Sequence, residues 1–349
     1  MNRFLHQGIH QTLQQTLQQT LQQTAEWVQN SPPLFNRPAS PLFLDSPLPA
    51  GLAPLIPDQQ QLALLASLVS QKGNPLLGIF YETLWQFLLS QLPDSQTIAA
   101  NLQVTGEKNG QPATLGEYDL IYRLKNQFIH RELAVKFYLG ISDENNSNKG
   151  SPWRHWVGPG LKDRLDRKMD RLLHHQALLS DTDEGQAALL ALGIEQPVQK
   201  EILMQGRFFY PLYPMNSEGA QTAQLTEIIQ PDIASTHPAS RLCQPPQCCN
   251  PEHLKGYWLT QNQFLLNTRL DNGMSYQIPH KVQWLNQSPI TGLLNHDDLM
   301  RQLQQQKRAV YIRAIHQTLQ APLHLFIVPD DWPDKAMKVS EELFTIDQV

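Results

Sequence analysis

The sequence predicts a mixed α/β fold: a helix, three strands, a second helix and a fourth strand, in that order. Three observations carry this. Leu77, Phe80 or Tyr81, Leu84 and Leu88 recur at helical spacing. Residues 98–107 and then GEYDLIYRLKNQFIHRELAVKFYLG, residues 116–140, read as three successive strands joined by short polar turns. A helical pattern over 160–180 then precedes PVQKEILMQGRFFYPL, an apolar strand. Short turns favour antiparallel hairpins, and the helical crossover favours a parallel pairing for the fourth strand. The result is a mixed sheet with helices on its faces.

From the N-terminus, TLQQTLQQTLQQT sets Leu5, Ile9, Leu13, Leu17 and Leu21 at intervals of four. On a helix that stripe drifts by about 40° per step, so it winds across the surface. It reads as an amphipathic helix that packs on the body or on a protein partner, or as a slipped repeat with little function. Residues 31–57 are proline-rich, and proline blocks helix and ladder alike. They form an extended connector, pinned by its Leu and Phe residues. Helical patterns follow over 59–92, with Glu82 inside the second. After the three strands come a polar loop at 141–151, the 160–180 helix, a shorter helix near 184–193 and the fourth strand. Residues 216–250 read as loop, and the remainder mixes short strands and helices. The segments are therefore 1–58, helix and connector; 59–215, the main α/β core; and 216–349, a smaller α+β extension.

The chain of 349 residues is 41% hydrophobic, enough for one large domain or two ordinary ones. Its formal charge of −5 supplies no global basic field, so nucleic-acid binding would need a local patch. No apolar run approaches a membrane span, and no signal peptide is visible, so a cytoplasmic protein is expected. Cys243, Cys248 and Cys249 lie together near His253. Their spacing is that of no recognised zinc knuckle, and they read as a reduced surface loop. Phosphate-cradling loops, dinucleotide fingerprints and the esterase elbow are absent from the sequence, leaving those chemistries without support.

The stretch 116–140 asks for an explanation. By strand alternation Glu117, Asp119, Ile121 and Arg123 share one side, and His130, Glu132, Ala134, Lys136 and Tyr138 share another. Under covering helices, Asp119, Glu132 and Lys136 would be partly buried, and buried charges must be paired, hydrogen-bonded or metal-bound. Two carboxylates on adjacent strands suit Mg²⁺ or Mn²⁺. A nearby lysine would orient a metal-bound water, and Glu82 would support the shell through a water. The other reading is a structural ion pair of Lys136 with Asp119 or Glu132.

G-E-x-D-L followed by a strand ending in apolar-x-Lys resembles the core of the PD-(D/E)XK nuclease superfamily over roughly residues 70–210, and the element order matches that fold. The resemblance implies a restriction-endonuclease-like fold. It also implies a Mg²⁺-dependent phosphodiesterase site with Asp119, Glu132 and Glu82 on the metal and Lys136 as the activating group. The superfamily's acid two residues before the lysine is Ala134 here; Glu132 lies one pleat further away. HRELAVKFYLG, WRHWVGPGLKDRLDRKMDRLLHHQ, HLKGYWL and FIVPDDW further resemble a bacterial family of unknown function, DUF 1853.

On the 160–180 helix, Arg164, Lys168, Arg171 and His175 form a basic stripe that would track phosphates. Asp163, Asp166 and Asp170 interleave with it, which also reads as a salt-bridged solvated face. Gln176 would bond a substrate or cap a core contact. Trp153 and His155, before a Gly-Pro-Gly helix entry, would stack on a base or pack as a lid. Two functions therefore stand: a metal-dependent nuclease, or a non-catalytic module on the same fold that binds nucleic acid or protein.

Overall fold

The computed structural model describes residues 2–73, 75–141, 150–213, 243–268, 273–286, 292–316 and 321–342; for 2–15 it describes the backbone alone. The protein is mixed α/β and divides into two compact units, each drawing on several stretches of chain. Unit 1 holds Met1–Val135, Asp170–Gln205 and His280–Pro289; unit 2 holds Lys136–Met169, Gly206–Pro279 and Ile290–Val349.

In unit 1, α1 (Asn2–Asn30) precedes α2 (Gln59–Gln71) and α3 (Leu77–Ser90). Leu21, the last leucine of the repeat, is buried together with Ala25 and Val28, so the stripe ends inside the unit's own core. Leu5, Ile9 and Leu13 lie outside the described side chains. The start of α2 is fixed by a reciprocal cap: Asp58 Oδ1 accepts from Gln61 N, and Gln61 Oε1 accepts from Asp58 N. Helix α3 buries Tyr81, Leu84, Trp85 and Leu88.

The strands β1 (Ser95–Lys108), β2 (Gln111–Leu124) and β3 (Gln127–Gly140) are antiparallel neighbours, with β5 (Gln199–Pro211) next to β3. Asn109 and Gly110, both at positive φ (56° and 74°), make the two-residue β1–β2 turn, which such an Asn-Gly pair favours. Val104, Tyr118, Ile121, Leu179, Leu189 and Ile194 form one core cluster of this unit.

In unit 2, β3 ends paired with β4 (Trp156–Val157). Strand β6 (Lys255–Thr260) runs parallel to β5 and to β9 (Leu323–Val328); β8 (Val310–Ile315) is antiparallel to β9, and β7 (Ser275–Gln277) to β8. Helices α6 (Gln261–Thr268), α7 (His296–Gln304) and α8 (Trp332–Glu341) complete it. One apolar core gathers Leu259, Phe264, Leu299, Leu303, Ile312 and Leu325.

The helix expected over 160–180 is shorter and broken. Helix α4 spans Leu165–Arg171, a π turn follows over Leu172–Gln176, and a 3₁₀ turn covers Leu179–Asp181. Before it, Gly158 N donates to Asp163 O, Leu161 sits at φ 64°, and Val157 bridges Arg164. That tight return takes up the residues that helical periodicity had assigned to the first turn. Helix α5 spans Asp183–Ala191, capped by the Thr182 hydroxyl. The loop expected at 141–151 falls outside the described residues over 142–149, and that at 216–250 does so up to 242. No helix among the described residues is long and apolar enough to cross a membrane.

Candidate functional site

Asp119 lies on β2 and Glu132 on β3, and both are buried. Ile121 stands opposite His130, so Asp119 shares a face with His130 and Glu132. The paired residues run from Leu124↔Gln127 to Leu120↔Arg131; just past them, Asp119 Oδ2 accepts from the Leu133 amide at 2.8 Å. Here a side chain takes the place of a ladder carbonyl, which satisfies a buried N–H.

Glu132 is 0% exposed, and both its oxygens are engaged. Oε1 meets His130 Nε2 at 2.8 Å, and Oε2 accepts from Gln176 Nε2 at 2.8 Å. Burial holds the His130 pKa down at about 4, against the opposing pull of Asp119, so the imidazole is neutral near pH 7. Its contact with a carboxylate assigns the proton to Nε2, leaving Nδ1 as a buried lone pair with no hydrogen-bond partner. The ring sits edge-on to Tyr118 at 4.7 Å. The π turn matters to this arrangement, because it sets Gln176 at the end of the helical segment that reaches Glu132.

Glu82, on α3, accepts from Asn101 Nδ2 at 2.9 Å, and the same amide reaches Glu117 at 3.2 Å. Asn101 adopts positive φ (51°) in the middle of β1, close to the Thr97/Ala99 irregularity in its pairing with β2.

Lys136 follows Glu132 on β3 but belongs to unit 2, where its partner is Asp163: Nζ lies 2.5 Å from Oδ2, and Asp163 Oδ1 accepts from the Tyr138 hydroxyl at 3.1 Å. Burial, then the Asp163 charge, push the Tyr138 pKa well above its ordinary value.

The other expected site residues have structural surroundings. Arg164 precedes α4 instead of lying on it. It is buried, forks onto both Asp166 oxygens at 2.7 and 2.9 Å, and donates to the Val339 and Glu342 carbonyls. A guanidinium so occupied has little left for a phosphate. Lys168 is half-buried on α4. Trp153 donates from Nε1 to Gln247 O at 2.8 Å, and His155 is buried, which matches packing more than base stacking. Cys249 Sγ lies 3.6 Å from His253 Nδ1, while Cys243 is buried and Cys248 exposed.

The described residues do not fit a divalent cation in this arrangement. The oxygens of Glu132 already accept from an imidazole and an amide, and Asp119 accepts from a backbone amide. No group of three or more His, Cys, Asp or Glu side chains able to hold a metal is gathered among the described residues.

Sequence reasoning singled out Asp119, Glu132 and Gln176 as candidates but did not single out His130 as the partner of Glu132. Their i, i+2 spacing on one strand was the signal available. It also missed the fully buried Arg131, whose Nε and Nη2 both reach Glu201 Oε2 (3.0 and 2.7 Å). No local pattern links those two.

The chain matches the family described as "Domain of unknown function (DUF1853)" over residues 13–329. The chain belongs to that family. Neither the curated proteins nor the solved structures gave a match.

Proposed function

We propose that the chain is a non-catalytic protein-interaction module built on a restriction-endonuclease-like core. The observation that carries this reading is Glu132. A carboxylate with no exposure and both oxygens hydrogen-bonded inside the protein serves the fold and is withheld from a metal. Three cations on β3 and around α4 support it as well. Lys136, Arg164 and Arg167 each pair with an acid, which leaves little charge to release counterions from a nucleic acid. Apolar side chains stand out on unit 1 instead. Ile56 and Leu76, which lead into α2 and α3, are 78% and 71% exposed, and Leu64 and Ile79 on those helices are also exposed. Exposed apolar surface of this kind suits a protein partner.

A second reading, a Mg²⁺-dependent nuclease, is favoured by the order β1, β2, β3, β5 and by Gln176 reaching Glu132 from the helical segment between β3 and β5. Calorimetry with Mg²⁺ and Mn²⁺ on wild type and Asp119→Ala separates the two, followed by incubation with single- and double-stranded DNA and RNA. The interaction module predicts no metal-dependent heat and no cleavage, with Asp119→Ala lowering stability alone. Metal binding and cleavage that both vanish in Asp119→Ala would replace it with the nuclease.

A further inference from the structure

A groove in unit 1 is built by the way α5 ends. Leu192 closes the helix, and Gly193 follows at φ 76°, a conformation that favours glycine. Gly193 N donates to Leu190 O at 2.8 Å, and Ile194 N donates to Leu189 O at 3.1 Å. Such a pair of bonds turns the chain back and lays the residue after the glycine on the last helical turn. Ile194 and Leu189 accordingly share the core cluster that holds Val104, Tyr118 and Leu179. Residues 195–198 then lead into β5. Lys200, near the start of β5, lies 2.6 Å from Asp181 and ties that strand to the 3₁₀ turn before α5.

Between α5 and the returning segment lies a cavity of about 560 Å³. That is within the span of about 300–1,000 Å³ usual for binding clefts. Buried Leu189 and Ile194 form its floor, and Ala187, Pro197 and Val198 add apolar wall. Leu190, also in the lining, is 59% exposed at the rim. A single exposed leucine is ordinary. One set beside an opening onto the core marks a place for an apolar side chain to enter.

The charged lining has one sign. Asp181, Asp183 and Glu195 line the cavity, and among the described residues no lysine or arginine does. Asp181 is matched by Lys200. Asp183 lies in the first turn of α5, where the helix dipole favours an acid. Glu195 has no such local reason. It follows the carbonyl end of the helix, where an acid is disfavoured, and no described lysine or arginine lies in ion-pair range of it. Asp183 and Glu195 bracket a helix of 9 residues. At a rise of about 1.5 Å per residue, that sets them on the order of 10 Å apart.

An occupant that fits this groove brings an apolar side chain to the cavity and two cations to the acids at either end of α5. An extended peptide sets residues three apart at about 10 Å, which meets that spacing. A monoamine does not. We propose that this groove docks a basic segment of a partner protein, in which an apolar side chain is flanked by lysines or arginines. Apolar burial in the cavity supplies the anchor, and the complementary charges select the partner. Neither Glu132 nor the exposed apolar residues of α2 and α3 take part, so the proposal is independent of the function proposed above.

The test is fluorescence anisotropy of the full chain with a fluorescein-labelled peptide that carries a leucine between two lysines three residues apart in a glycine–serine background. Its glutamate-for-lysine counterpart is titrated in parallel. Saturable binding of the lysine peptide alone is expected. Glu195→Lys should weaken it about fivefold or more, because an exposed ion pair gives way to like-charge repulsion. Leu190→Ser should weaken it as well, through lost apolar contact at the rim. Both side chains are exposed, so the fold is retained, which circular dichroism checks. Glu252→Lys, at an exposed acid of unit 2, changes the net charge equally and should bind as wild type does. No binding of the lysine peptide, equal binding of the glutamate peptide, or wild-type affinity in either groove variant would overturn the proposal. Equal weakening in Glu252→Lys would reduce the effect to net charge and overturn it too. Self-association of the chain alone in sedimentation, lost in Leu190→Ser, would give the groove to a second copy in place of a partner.

Discussion

Arg131 in unit 1 and Arg207 in unit 2 are both buried strand arginines, and they are treated in opposite ways. Arg131 forks onto Glu201, donates to Pro47 O, and lies over the rings of Trp85 and Tyr122 at 5.6 and 5.3 Å. Burial alone would lower its pKa, but Tyr122 and Glu201 together raise it. Arg207 has a backbone carbonyl and a second arginine, and its pKa falls. The contrast teaches that burial of a charge does not by itself mark function. The pair that closes on itself serves the fold, whereas Arg207 has no carboxylate in ion-pair range among the described residues.

The sharpest way to break this contrast is to remove a counter-charge. Glu201→Gln leaves Arg131 buried without its acid and is expected to cost about 3–5 kcal/mol in urea unfolding. Adding Arg131→Met should recover much of that loss, because the stranded charge goes with it. A double variant as unstable as Glu201→Gln alone would show that the pair is not closed in the sense drawn here.

Acid comes next. His130 in unit 1 and His253 in unit 2 both have their pKa lowered by burial to about 4, from 6.5. The unfolded chain therefore binds more protons between those values. Their stabilisation is complete above about pH 6.5 and is lost as pH falls toward 4, on the order of 3 kcal/mol per imidazole. Unfolding followed from pH 7 to 4 should show this slope, and it should be shallower in His130→Phe relative to that variant's own value at pH 7. An unchanged slope would remove His130 from the account.

Glu132→Gln is expected to cost less, about 1–2 kcal/mol, because it retains one acceptor for two donors. Thermal unfolding checks this, and a neutral result would mean the buried cluster contributes nothing net. The smallest effect belongs to Arg207→Met, a change within about 1 kcal/mol, since a buried guanidinium with no carboxylate in ion-pair range among the described residues is replaced by an apolar chain of similar reach. A loss as large as that of Glu201→Gln would put the two arginines in the same class.

Much of unit 1 was legible because its signals are local. The helical spacing of Leu84 and Leu88 and the alternation around Asp119 and Glu132 each lie within a few residues. Burial of both carboxylates followed from that alternation once covering helices were assumed. What stayed hidden depends on distance or on backbone geometry. Glu201 is 70 residues from Arg131. Asp163 is 27 residues from Lys136 and sits in a tight return that no periodicity marks. Arg207, His324 and Arg313 share one face of unit 2 but come from β5, β9 and β8, so no window of sequence contains them.

The N-terminal helix has a consequence for how the chain is made. Its buried Thr24 hydroxyl accepts from Asn286 Nδ2, a residue 262 positions later, and Arg131 must wait 70 positions for Glu201. A chain emerging from the ribosome therefore exposes the apolar side of α1 and an unmatched Arg131 until most of its length has been synthesised. Contacts of such long range form slowly, and intermediates that await them aggregate. Release of nascent chains stalled before and after residue 286 should show the protease-resistant form of unit 1 only in the longer set.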